Sequence, residues 1–314
     1  MPKISCLFFG TPKFSIPSLK SILDSGLFEI RGVITQIDKP KGRSKTATPP
    51  PVKTWAQNHN LSVFQPDNLS KKNFEKDILQ FLPIDLILIV AYGKIIPPWI
   101  TEISKFGALN LHPSLLPKFR GPSPIQSAII AREKETGVSI ILIDDELDHG
   151  PILLKKPVPI QKSETYLSLH DRLSEIGAEL LLKTAVKYAR GEIKSKEQNH
   201  EEATFTKMLA KEDGLINWGG SSEDIDAKIR ALNPWPGTST LWNGKQLIIL
   251  EANPTNIPIT SSPGTILQIK NSLFAATNDY MLEIKMLKLE GGKSLSSENF
   301  LRGHQNIINA RLPS

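Results

Sequence analysis

The chain has a single cysteine in 314 residues, Cys6. That excludes an internal disulfide, and with no Cys/His set at metal-ligand spacing it argues against zinc chemistry. Cys6 lies inside the apolar run ISCLFF, where a free thiol acts as a small core hydrophobe. No stretch reaches the roughly 18 uncharged apolar residues that a membrane helix needs. The opening MPKISCLFFGTP has an apolar run but no small-residue cleavage site after it, so it reads as a first buried strand rather than a secretion signal. A glycine-rich phosphate loop is missing too. FFGTPKF offers Gly10 alone at a strand-to-helix turn, which is not the G-x-G-x-x-G of a dinucleotide site. Gly10 marks either a tight turn or backbone close to a ligand. A strong excess of one charge sign is missing: 38 Lys+Arg against 32 Asp+Glu leave a net charge of +6. That surplus permits an anionic partner such as RNA without demonstrating one.

What is present is an alternation. KISCLFF, EIRGVIT, DLILIVAY, GALNLH and GVSIILI are short runs rich in branched and apolar residues. Between them FSIPSLKSILDSG and PVKTWAQNHN read as helices. Strands alternating with helices predict an α/β domain with a parallel sheet covered on both faces. An amphipathic run, TYLSLHDRLSEIGAELLLKTAVKYARG, predicts a long helix capped at Gly191. The polar stretch EIKSKEQNHEEATFTK then reads as a linker. From Met208 short strands and Asn-Gly, Pro-Gly and Asn-Asp turns predict a small antiparallel barrel or sandwich. The implied division is a catalytic domain over 1–190, a linker over 191–207 and a β domain over 208–314.

The residues with chemistry in them cluster at strand ends. In an open parallel sheet ligands bind at the carboxyl ends of the strands. Asn110 and His112 fall at the end of GALNLH, and a period of two puts both on one face. An amide N–H and an imidazole N–H converging there suit a developing oxyanion. Asp148 follows the next strand, GVSIILID, where a carboxylate can take a proton or hold an imidazole charged. Each residue alone is more often an ordinary polar position or part of a turn. Only their joint placement singles them out.

NLHPSLLPKFRGPSPIQSAI followed by ETGVSIILIDDELDHGPIL resembles the folate-dependent formyltransferases. FFGTPKF, GVITQIDKPKGRSK, PVKTWAQ, VFQP, AYGKIIP and ALNPWPGTST extend the resemblance over nearly the whole chain, toward the branch that formylates methionine on initiator tRNA. The resemblance implies a Rossmann-like, parallel-rich formyltransferase domain, a linker and an OB-like C-terminal β-barrel that binds tRNA. It carries the catalytic trio onto Asn110, His112 and Asp148. It carries the folate segment onto Ser114, Leu115, Leu116 and Pro117, with the backbone of Val90, Ala91, Tyr92 and Gly93 lining the pterin. The family's inserted loop falls on 36–50 and gives Lys41, Arg43 and Lys45 as tRNA contacts. 10-Formyltetrahydrofolate is implied as co-substrate, with no metal. A charged initiator tRNA is implied as partner, in a monomer of the cytoplasm with no membrane attachment. One position departs from the pattern: His149, between Asp148 and Gly150, stands where a smaller residue is expected, and either shifts the charge state of Asp148 or points to solvent. The rivals share the chemistry but differ in acceptor: glycinamide ribonucleotide, a nucleotide-linked amino sugar, or water. A non-catalytic RNA-binding module is opposed by the intact trio.

Overall fold

A computed structural model describes residues 2–40 and 46–314 of the chain. It divides into two compact units, the first made of Met1–Pro124, Glu135–Pro159 and His170–Thr206. Its sheet has seven strands: β1 (Ile4–Gly10), β2 (Phe28–Ile34), β5 (Val63–Phe64), β6 (Leu86–Val90), β7 (Ala108–His112), β8 (Glu135–Leu142) and β9 (Ile152–Pro159). A small separate pairing joins β3 (Lys39–Pro40) to β4 (Ala47–Thr48). The order across the sheet is β5-β2-β1-β6-β7-β8-β9. Strands from β5 to β7 pair in parallel, and β8 and β9 join antiparallel. Every residue of β6, LILIV, is buried, as a central strand covered on both faces requires. Each such side chain contributes roughly 1.5–3 kcal/mol of apolar burial. At the sheet's edge β9 exposes Lys155, Lys156 and Pro157, residues that discourage pairing with another chain.

The five strands expected from the apolar runs are present. One expectation is corrected: β8 does not run parallel to β7. Leu109 faces Leu142 and His112 faces Ser139, so the end of β8 lies beside the start of β7. Composition marks a buried strand, but the direction of pairing depends on the path of the connection. Gly10 closes β1 where no side chain fits, since a Cβ there would meet the Phe8 and Ser15 side chains at 2.8 Å. Cys6 is fully buried, and burial pushes its thiol far above the ordinary range. The long helix over Tyr166–Ala189 ends as expected before Gly191, with φ +71. Within it Gly177 brings the helix backbone against β7, because a Cβ would fall 2.8 Å from the Leu111 side chain.

The second unit comprises Ile125–Lys134, Ile160–Leu169 and Lys207–Ser314. Its antiparallel sheet has the order β10 (Thr238–Trp242), β11 (Lys245–Pro258), β14 (Tyr280–Leu289), β13 (Ser272–Ala276), β12 (Ile266–Ile269), with β15 (Leu295–Ser296) on β14. Asn243 and Gly244 turn β10 into β11 with φ of +50 and +73, the conformation that an Asn-Gly hairpin supplies. Register shifts at Glu251 and between Pro254 and Pro258 bend the long strand β11. Trp218, Leu247, Ile249, Leu273, Ile284 and Phe300 form its apolar core. The units do not follow the sequence boundaries strictly: 191–206 group with the first unit, and 125–134 and 160–169 with the second. No helix among the described residues is long and apolar enough to cross a membrane.

Candidate active site

Asn110 and His112 occupy the last three residues of β7, and the 143–151 turn between β8 and β9 returns Asp148 to them. Asp148 Oδ1 lies 3.4 Å from Asn110 Nδ2 and 3.4 Å from His112 Nδ1. Its Oδ2 accepts a hydrogen bond from the Gly121 N–H at 2.8 Å. The other ring nitrogen of His112, Nε2, lies 2.9 Å from the Phe119 carbonyl. Both ring nitrogens therefore face oxygen atoms. The trio expected from the sequence is brought together, although Asp148 arrives from an antiparallel hairpin and not from a neighbouring parallel strand end.

The carboxyl of Asp148 is largely buried, which by itself raises its affinity for a proton. The His112 ring, the Gly121 N–H and the Arg120 guanidinium outweigh that and hold it below the ordinary carboxylate range. Its backbone is strained: φ is +53, left-handed for a residue other than glycine. Gly150 follows where no side chain fits, because a Cβ would overlap the Leu142 carbonyl.

Of the folate segment, Ser114 and Leu116 are buried and internally committed. Ser114 Oγ donates to the Lys118 carbonyl at 2.6 Å, and the Ser114 carbonyl accepts from Ser139 Oγ at 2.7 Å. Leu116 N–H donates to Ser139 Oγ at 3.1 Å, and Lys155 Nζ donates to the Leu116 carbonyl at 2.9 Å. Leu115 and Pro117 are partly exposed. In the second segment Val90 is buried, with its carbonyl accepting from Ser15 Oγ at 2.6 Å. The Tyr92 ring packs into the core edge-on to Phe9, and its carbonyl accepts from Thr11 Oγ1 and Gln36 Nε2, each at 2.8 Å. Ala91 is exposed at φ +48 and Gly93 sits at φ +82. Lys41, Arg43 and Lys45 lie outside the described residues. The stem before them is tied down: Asp38 accepts from Lys53 Nζ at 2.9 Å and from Gln65 Nε2 at 2.7 Å.

Residues absent from the sequence reading complete the surroundings. Arg120 is 3% exposed and Gln198 5% exposed, and they bond to one another beside Asp148. His149 neither faces Asp148 nor stands free in solvent. Its Nδ1 lies 2.6 Å from Asp144 Oδ2, and its ring stacks on His200 at 3.9 Å. Arg120 was within sight as part of the KFRGP motif. Gln198 was not, because it sits in a polar stretch with no periodicity. Among the described residues no group of three or more His, Cys, Asp or Glu is arranged to hold a metal ion.

The first unit is thus a mostly parallel α/β sheet with amide, imidazole and carboxylate gathered at one strand end. Residues 2–185 match the family described as formyl transferase, and residues 208–305 match the formyl transferase C-terminal domain. The chain belongs to the formyl transferase family. Its relatives place it among the methionyl-tRNA formyltransferases. It is 40% identical over 301 residues to the methionyl-tRNA formyltransferase of Desulforamulus reducens, covering 95% of this chain and 94% of that protein. It is 39% identical over 314 residues to that of Legionella pneumophila strain Paris, covering 99% of each. Among solved structures, an N-formyltransferase from Helicobacter canadensis in complex with folinic acid and dTDP-3-aminofucose shares the fold at a TM-score of 0.67. It is 18% identical, and the match covers 94% of this chain and 100% of that one.

Proposed function

We propose that the chain transfers the formyl group of 10-formyltetrahydrofolate to the α-amino group of methionyl initiator tRNA. The observation that carries this reading is the convergence of Asn110, His112 and Asp148 within hydrogen-bonding range, in a chain whose relatives across almost their full length are methionyl-tRNA formyltransferases. The amine lone pair attacks the formyl carbon, and the carbonyl π electrons move to oxygen. Asn110 Nδ2–H and a ring N–H of His112, released from its resting acceptor when substrate binds, donate to that oxyanion, each contributing roughly 10²–10³ in rate. Asp148, kept ionised at working pH, takes the proton shed by the amine. Collapse breaks the bond to the folate nitrogen, which leaves with a proton as tetrahydrofolate. The folate supplies the activated one-carbon group, so the protein's part is to orient and stabilise charge.

Folate is held by the exposed backbone at Ala91 and Gly93 and by the partly exposed Leu115 and Pro117. Ser114 and Leu116 act by fixing the shape of the turn. The chemistry belongs to the first unit, and the β domain over 208–314 together with Lys41, Arg43 and Lys45 holds the tRNA. The structural neighbour's amino-sugar complex keeps one rival acceptor in view. Purified protein, 10-formyltetrahydrofolate and either methionyl-tRNA, a nucleotide-linked amino sugar or water alone separate the readings. Formylation of the tRNA only is the expected result. Equal or faster formylation of the amino sugar overturns it.

A further inference from the structure

We propose that Gln198 is a positioning residue for this reaction: held by Arg120, its amide fixes the backbone of the turn that carries Asp148 and so keeps the carboxylate on His112. The amide is used at every valence. Gln198 Oε1 accepts from Arg120 Nε at 3.2 Å and Nη2 at 2.8 Å. Gln198 Nε2 donates to the Asp148 carbonyl at 2.9 Å and to the Gly150 carbonyl at 2.8 Å. A guanidinium only donates and a carbonyl only accepts, so the orientation of the amide is fixed by its partners. The two carbonyls flank His149 in the segment that needs restraint, with Asp148 at φ +53 and no room for a side chain at position 150.

Arg120 is itself clamped. Its Nη2 lies 2.8 Å from His200 Nδ1, and its ring contact is Phe205 at 5.9 Å. Its backbone N–H donates to the Thr204 carbonyl at 2.8 Å, and its carbonyl accepts from the Thr206 N–H at 2.7 Å. The next residue, Gly121, supplies the N–H bonded to Asp148 Oδ2. Arg120 and Gly121 thus grip Asp148 twice, at the carboxylate directly and at the backbone through Gln198. A buried arginine whose guanidinium bonds neutral groups also places its positive charge near the carboxylate, in the direction that favours ionisation.

The inference rests on the formyl-transfer reading, and wild-type formylation of methionyl-tRNA is the control that separates the two. Gln198→Glu keeps an oxygen for Arg120 but turns the donating edge into an oxygen facing two carbonyls. Gln198→Asn keeps the amide one carbon short. Single-turnover rates are measured for both, alone and with Asp148→Asn, alongside KM for each substrate. The expected result is a roughly 10- to 100-fold lower rate in either single variant, with KM changed less than about twofold. On the Asp148→Asn background the same changes add little, because Gln198 acts through that carboxylate. The Asn variant carries the test if the Glu variant does not fold. A wild-type rate in a folded variant, or an equal fold-loss with and without the Asp148 carboxylate, overturns the proposal. If wild type does not formylate methionyl-tRNA, it is the functional reading that fails.

Discussion

Two side chains from the end of β7 meet the carboxylate of Asp148 from the turn between β8 and β9, and each of the three is open to direct test. Asn110→Ala and His112→Ala are expected to lower turnover by about 10²-fold or more. Circular dichroism should remain close to wild type in both; thermal melting should too for the half-buried Asn110, whereas loss of the buried His112 leaves Asp148 without its ring partner and should lower the melting temperature. Near-normal turnover in either variant removes it from the oxyanion role. Asp148→Asn should fold well, since asparagine tolerates positive φ better than most residues, yet lose most of its activity. Its pH behaviour has a definite sign. The folded carboxyl is held below its unfolded value of about 3.9, so ionisation stabilises the wild type fully above that pH. That advantage over Asp148→Asn is lost as pH falls through the lower, folded value. Thermal melts of the two proteins between about pH 6 and pH 3 read the convergence. A gap that widens on acidification contradicts the proposed electrostatics.

At the level of elements, the sequence made the buried strands legible and left their directions dark. The runs that became β1, β2, β6, β7 and β8 are apolar segments bounded by turn residues, a pattern that burial on both faces imposes. Asn110 and His112 were readable because a strand's period of two is local information. The antiparallel direction of β8 and the role of Gln198 are not local. One depends on how the chain returns to the sheet, the other on bonds to residues 48 and 50 positions away. Strand β9 escaped because its lysines and prolines hide an edge strand. The hairpin it forms with β8 makes a prediction of its own. Gly150→Ala sets a methyl group against the Leu142 carbonyl, a backbone atom with nowhere to move. The expected cost is about 1–3 kcal/mol of stability in denaturant titration, accompanied by loss of turnover as Asp148 is displaced. A neutral effect on both places the hairpin's function elsewhere.

Across the whole molecule the expected division of labour is chemistry in the first unit and tRNA capture in the second. A chain ended after Thr206 keeps every bond described around Asp148 and should retain folate binding while losing most of its affinity for tRNA. Normal formylation of charged tRNA by that shortened protein contradicts the division. The loop over 36–50 supplies the other test. Arg43 can grip a phosphate bidentately and stack on a base. Arg43→Ala should weaken tRNA formylation, leave folate binding unchanged and make the salt dependence of tRNA affinity shallower by about one counterion. Superimposable salt curves for the two proteins mean that the loop is a solvated surface only.

The ties from Arg120 and Asp148 to residues 198–206 also set an order of assembly. Asn110, His112 and Asp148 have all been synthesised long before Gln198, yet the backbone carbonyls of Asp148 and Gly150 lack their Gln198 partner until the chain has passed through the helix over Tyr166–Ala189 and beyond. A nascent chain stopped at Gly191 possesses the whole reactive trio and lacks the bonds that fasten Gly150, Asp148 and Arg120. Under the role proposed for Gln198, catalytic competence is a late property of this unit, reached only when the stretch that looks most like a mere connector has been made.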